Sequence, residues 1–335
     1  MIFIAQNSQE QNNPLDRKFS IAPMMDRTDR HERYFLRTLS KEMLLYTEMI
    51  HANAVIHGDK DDLLNYHNSE HPLAIQLGGN NPNALQEASI IAEGKGFDEI
   101  NLNVGCPSPR VQSGSFGAVL MKQPELVRDC LELLITTVRI PITVKCRIGV
   151  DEMDEDKDLD KFVQTVKDSG CKTFIIHARK AWLKGLSPKD NREIPPLNYE
   201  RVYRLKDSFP DLEVIINGGI ETTDDALEHL KKVDGVMVGR SAYDNPYPLV
   251  NVDQVIYSQN NQVPTRAEIL EGLVPYMENE IKNGNKLGYV TKHLMGLFKN
   301  TKHAKKARNT LANIDDGFYP MEKLKLLINE TKELC

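Results

Sequence analysis

Eight short apolar runs punctuate the chain before residue 240, at residues 19–22, 44–48, 73–77, 99–104, 142–147, 173–177, 213–217 and 235–239. Each is rich in Ile, Val and Leu and is bounded by Gly, Pro or charged residues. Continuous apolar runs of this length suit parallel strands buried on both faces. Helical patterns lie between them, at 83–95, 124–138, 159–169 and 223–232. Eight strand–helix units point to a (β/α)8 TIM barrel of the α/β class. A doubly wound sheet is the alternative, because strand count alone does not prove closure. After Pro246 the pattern is helical only, at 266–283 and 288–298, which predicts a C-terminal all-helical domain. The expected division is a flexible leader over 1–14, a barrel over 15–250 and a helical domain over 251–335.

In such barrels active sites form at the C-terminal strand ends. Read in order, these ends carry Pro23-Met24-Met25, Glu48, Gln76, then Asn101, Asn103 and Cys106, then Lys145 and Arg147, His177 and Arg179, Asn217-Gly218-Gly219 and Gly239-Arg240. One His or Lys at a strand end is ordinarily just solvated. Polar or glycine-rich groups at all eight ends together point to a site. The two glycine-bearing ends, after the seventh and eighth strands, match the common phosphate position of this fold. Glycine lets backbone N–H groups approach a phosphate, and Arg240 adds a charge-assisted pair. Lys145 and Gln76 suit the carbonyl and N–H edge of an isoalloxazine, and His177 suits its ring or its phosphoribityl chain. The combination predicts an FMN-binding barrel. Cys106 closes a strand in a Gly-Cys-Pro turn before a polar, glycine-rich loop. Alone it reads as a small buried hydrophobe; in this loop it reads as an acid, base or nucleophile.

Composition narrows the class. The chain has 335 residues, 40% of them hydrophobic and 27% charged, as in a soluble globular protein of one large unit plus a smaller one. No apolar run reaches the roughly 18 residues a spanning helix needs. The Gln/Asn-rich start has no basic region of a secretory signal. The five cysteines are scattered without a CxxC pair, which fits a reducing cytoplasm and argues against a zinc site. Residues 151–160 are acidic but lack the glycine and glutamate spacing of a calcium loop. Net charge is −6, yet residues 286–309 carry seven Lys or Arg and no Asp or Glu. Most charge runs are solvated faces, but those mix signs. A single-sign patch beside a barrel suits a polyanionic substrate.

The stretches Ala22-Pro23-Met24-Met25-Asp26, Gln76-Leu77-Gly78-Gly79, Asn101-Leu102-Asn103-Val104-Gly105-Cys106-Pro107, Val144-Lys145-Cys146-Arg147, Ile176-His177-Ala178-Arg179, Asn217-Gly218-Gly219 and Gly239-Arg240 resemble the tRNA-dihydrouridine synthases. Residues 181–196 resemble the DusA-type branch of that family. The resemblance runs from about Lys18 to beyond Arg308. It implies FMN as cofactor, held by Pro23, Met24, Met25, Gln76, Lys145, His177, Asn217, Gly218, Gly219, Gly239 and Arg240, with NADPH as reductant. It implies hydride transfer from flavin N5 to uracil C6 and a proton from Cys106 to C5. Asn103 is then a contact to the target nucleotide, and Lys189, Arg192, Lys305 and Arg308 are tRNA contacts. Arginine is expected where Lys305 stands; lysine keeps the charge but loses the planar fork. The resemblance implies tRNA uridines 20 and 20a as targets; from the residues themselves no metal site, membrane association or stable protein partner is expected. Two competitors are a small-molecule flavin reductase, which needs no 286–308 patch, and an inactive RNA-binding module, which needs neither Cys106 nor the phosphate cradle.

Overall fold

A computed structural model describes residues 15–317 and 319–333; the expected leader over 1–14 and Cys335 lie outside them. Eight strands follow in chain order: β1 Phe19–Ile21, β2 Leu45–His51, β3 Leu73–Gly78, β4 Glu99–Asn103, β5 Ile142–Arg147, β6 Thr173–His177, β7 Glu213–Asn217 and β8 Gly235–Val238. Each pairs in parallel with its neighbours in sequence, and β1 pairs with β8. The ring closes between β1 and β2 through one parallel bridge, Ser20 to Leu44. Ile21 N donates to Leu44 O at 2.9 Å and Leu44 N to Phe19 O at 3.0 Å. Sequential strand order with a first strand bonded on both sides is a (β/α)8 barrel, and it excludes the doubly wound alternative, whose order reverses about a central switch point.

Strand pleat explains the apolar runs. In β3 every residue is buried, because Leu73, Ile75 and Leu77 face the helices while Ala74 and Gln76 face the barrel interior. The outward residues share one core with Leu85, Ala88 and Ala92 of the helix Pro82–Lys95 and with Val127, Leu131 and Leu134 of the helix Pro124–Thr137. Each fully buried aliphatic side chain of this kind stabilises the fold by about 1.5–3 kcal/mol. The inward residues Ala22, Leu44, Tyr46, Ala74, Ile175, Ile215 and Met237 form a separate cluster. The helix Pro82–Lys95 starts on an Asn81 cap with Pro82 at its first position and stops at Gly96, whose φ of 94° is left-handed, a turn that favours glycine.

The helices Arg266–Lys282, Ala304–Ala312 and Pro320–Lys332 follow the barrel. Leu270, Leu273 and Met277 of the first join Leu324, Leu327 and Ile328 of the last in the main core. The pattern over 288–298 does not form one helix. It divides into an α-turn, Gly288–Thr291, and a 3₁₀ turn, Lys292–Gly296. Tertiary contacts override the periodicity: His293 is fully buried and its Nε2 lies 2.9 Å from Asp29, and a Cβ on Gly296 would stand 2.7 Å from the Tyr243 carbonyl oxygen. These contacts, with the Arg30–Glu280 ion pair at 2.6 Å and the stacking of Tyr34 on Tyr276, seat the C-terminal helices against the first strand–helix unit. The basic run therefore lies beside the segment that follows β1.

Candidate active site

Cys106 stands three residues beyond β4, half-buried. Its loop is held from below and above. Asn103 Oδ1 accepts from the backbone N–H groups of Gly105 at 3.2 Å and Cys106 at 3.0 Å. The Cys106 carbonyl accepts from Ala118 N at 2.9 Å. Gly117, at φ 72°, makes that return possible: a Cβ there would stand 2.6 Å from the Cys106 carbonyl oxygen. Arg147 Nε donates to Gly105 O at 2.9 Å. The charged neighbours that bear on Cys106 are Lys145, Arg147 and Arg192.

Across the mouth, Lys145 Nζ donates to Asn217 Oδ1 at 2.9 Å, and Asn217 Nδ2 donates to Met237 O at 2.8 Å. Burial pushes the Lys145 ammonium down to about 8, and nearby Arg147 presses the same way. Burial, then Arg147 and Lys145, hold His177 well below the ordinary histidine range, so its imidazole is neutral. Gly218 and Gly219 have φ of 117° and 72°. A Cβ on Gly218 would stand 2.7 Å from the His177 ring, and one on Gly219 would stand 2.6 Å from Leu197. Only glycine gives this left-handed pair. Around Gly239 the space is open, with Ala22 Cβ the nearest atom at 3.9 Å. A bare backbone turn, open space at the next strand end and the buried Lys145 ammonium fit an aromatic phosphate ligand such as FMN.

Pro23, Met24 and Met25 leave β1 at the same rim, Met25 being 54% exposed. Gln76 is buried one layer down in β3. The loop carrying Lys189 and Arg192 is tied to the site: Arg147 Nη1 donates to Asn191 O at 3.0 Å, and Gln112 Nε2 bridges Pro107 O at 2.7 Å and Leu183 O at 3.0 Å. Asn191, fully buried, exchanges hydrogen bonds with the Trp182 backbone at 2.7 and 2.8 Å. Asn191 thus anchors this loop at Trp182. Arg240 Nη1 pairs with Glu193 Oε1 at 2.6 Å. Lys305 and Arg308 are exposed on the helix Ala304–Ala312. Gln112 and Asn191, which fasten the two loops together, are signalled in the sequence only by lying in the polar loop after Cys106 and in the 181–196 stretch.

The acidic segment 151–160 is built into the surface. Asp151 pairs with Lys122 at 2.5 Å, and Asp156 and Asp160 pair with the buried Arg201.

Residues 20–332 match the family model described as "Dihydrouridine synthase (Dus)". Among curated relatives, the tRNA-dihydrouridine(20/20a) synthase of Synechocystis sp. is 55% identical over 301 residues, 90% of this chain and 89% of that protein. The protein of the same name from Shewanella oneidensis is 52% identical over 92% of this chain and 91% of its own length. That of Escherichia coli K12 is 52% identical over 88% and 86%. With the barrel, the Cys106 loop and the glycine cradle in place, the chain belongs to the dihydrouridine synthase family.

Proposed function

We propose that this protein is an FMN-dependent tRNA-dihydrouridine synthase that reduces the C5–C6 double bond of D-loop uridines 20 and 20a, with NADPH as reductant. The observation that carries this reading is the pairing, at one barrel mouth, of a fixed cysteine loop with the Lys145–Asn217–Gly218–Gly219 cradle. Names of relatives at 52–55% identity support the tRNA substrate and the two positions.

Gly218, Gly219, Gly239 and Arg240 would hold the flavin phosphate, Arg240 exchanging its Glu193 partner for it. Pro23, Met24, Met25, Gln76, Lys145, His177 and Asn217 would hold the ring and chain. When bound, FMN supplies the hydride from its N5 to uracil C6. Cys106 Sγ gives its proton to C5 as a positioned acid, and the anion left behind faces Lys145, Arg147 and Arg192. Asn103 spends its carbonyl on the cysteine loop and one N–H on Gln76, so it offers the uridine its second Nδ2–H.

A base buried in the D-loop must leave its stack to reach this mouth. Contacts to phosphates elsewhere on the tRNA supply the energy. Lys189 and Arg192 serve the rim; Lys305 and Arg308, with the basic run 286–308, serve the tRNA body. In this reading residues 15–250 carry the chemistry, residues 251–335 hold the tRNA, and the protein works in the cytoplasm. Lys305 makes a point-charge contact rather than a forked one.

The test is a side-by-side reduction assay. The flavin-loaded protein with NADPH should form dihydrouridine in tRNA and leave free uracil and orotate unreduced. Reduction of the free pyrimidine instead would make the protein a small-molecule reductase. Absence of visible flavin absorbance after FMN reconstitution would remove the cofactor from the reading.

A further inference from the structure

A continuous hydrogen-bonded file runs through the barrel interior from its floor to the cysteine loop. It starts at Glu99, fully buried in β4. The Glu99 carboxylate accepts from Arg17 Nε at 2.6 Å, Tyr46 OH at 2.6 Å and Thr143 Oγ1 at 2.7 Å. A threonine hydroxyl has one proton. Thr143 spends it on Glu99, so its oxygen can only accept from Asn101 Nδ2, which lies 2.9 Å away. That turns Asn101 Oδ1 toward Gln76 Nε2 at 2.8 Å. Gln76 Oε1 then faces Asn103 Nδ2 at 2.8 Å, which leaves Asn103 Oδ1 for the loop amides of Gly105 and Cys106.

Both ends fix the direction. A carboxylate at the floor takes donors only, and backbone N–H groups at the top give donors only. One orientation of each side-chain amide satisfies every bond. If any one amide flips, a buried donor meets a donor, and such unmade bonds are costly in an interior.

We propose that Glu99, Thr143 and Asn101 are positioning residues. Through this file the floor carboxylate sets which amide group Gln76 and Asn103 present at the mouth and how rigidly Cys106 is held. The inference rests on the reading of Cys106 as the acid and of Gln76 as a flavin contact. It adds residues that touch neither substrate nor cofactor.

The test is Thr143→Val, which keeps the branched shape and deletes the hydroxyl. Asn101 loses its acceptor and Glu99 one donor, so the amides above are released while Arg17 and Tyr46 still hold Glu99. Three readings are taken on protein whose thermal melt shows it folded. Alkylation of Cys106 by iodoacetamide, followed on its own peptide by mass spectrometry, should become several-fold faster. FMN affinity should weaken by about tenfold, the scale of one buried hydrogen bond left unmade, with a shifted visible flavin band. The kcat for dihydrouridine formation should fall about tenfold with the KM for tRNA unchanged, and Thr143→Ser should restore all three. Should Thr143→Val fail to fold, Thr143→Ala deletes the same hydroxyl without placing a methyl against Asn101. Wild-type alkylation, flavin affinity and kcat in the folded variant overturn the proposal. The alkylation reading needs neither flavin nor tRNA, so it decides the file even if the wild type proves to bind no flavin.

Discussion

The two ends of this barrel are built on opposite electrostatic terms. At the floor each charge has an opposite partner: one cation, Arg17, bridges two carboxylates, Glu99 at 2.6 Å and Glu213 at 3.0 Å, and Thr173 Oγ1 donates to Glu213 at 2.7 Å. At the mouth, Lys145, Arg147, Arg179 and Arg192 stand close enough to depress the His177 pKa together, and Glu193 and Glu48 of this rim are already engaged, by Arg240 and by the Asp26 backbone N–H. A satisfied end stabilises the fold, whereas an end left cationic is ready for an anionic ligand. The backbone follows the same division, since the left-handed Gly218–Gly219 pair sits at the mouth. Stability at the N-terminal face and chemistry at the C-terminal face is the general rule of this architecture.

Breaking the floor should cost stability. Arg17→Met leaves two carboxylates without their cation, and we expect a drop of about 3–5 kcal/mol, the scale of halving a buried ion pair. Denaturant unfolding reads it; a drop under about 1 kcal/mol would mean the floor is not the stabilising end.

Recharging the basic run of residues 286–308 should leave the barrel alone. Reversing Lys299, Lys302, Lys305, Lys306 and Arg308 should weaken tRNA binding at least tenfold. It should flatten the salt dependence by about 0.7–0.9 for each phosphate no longer neutralised, with FMN content unchanged. Lys306 already pairs with Glu330 at 2.7 Å, so its share should be the smallest of the five. An unchanged affinity and slope would move the tRNA onto the Lys189–Arg192 loop.

The mouth should also announce itself through pH, more gently. In the free protein Lys145 loses its proton near 8. A flavin ring that takes the charged form should bind with full affinity below that pH and progressively more weakly above it, by at most tenfold per unit. Stability of the flavin-free protein runs the other way. The unfolded lysine, near 10.5, holds its proton longer, so stability rises from about pH 8 toward 10.5. Lys145→Met should erase both slopes, as isothermal titration and melting across pH 7–10.5 would reveal.

Much of this division was legible in residue order. The eight strands announced themselves because a parallel strand is buried on both faces and must be apolar along its length. The strand-end residues Gln76, Asn103, Cys106, Lys145, His177, Asn217 and Gly239 do converge on one mouth. Closure was not legible, because it rests on the single Ser20–Leu44 bridge between two ordinary-looking strands. Nor was the broken helix at 288–298, where burial of His293 against Asp29 decides the backbone. The interior file does leave a trace in the sequence: Glu99, Asn101 and Asn103 alternate along β4 and so share its inward face. The Arg240–Glu193 pair joins residues 47 apart in sequence, and no local pattern reports it.

The mouth is tested most directly by removing the Cys106 thiol. Cys106→Ala, loaded with FMN and supplied with NADPH and unmodified tRNA, should melt like the wild type, keep its flavin and still oxidise NADPH. Its dihydrouridine formation should fall by about 10²–10⁴-fold, the usual share of a positioned acid. A dihydrouridine yield near that of the wild type would contradict the assignment of Cys106 and, with it, the claim that this mouth is arranged to protonate uracil.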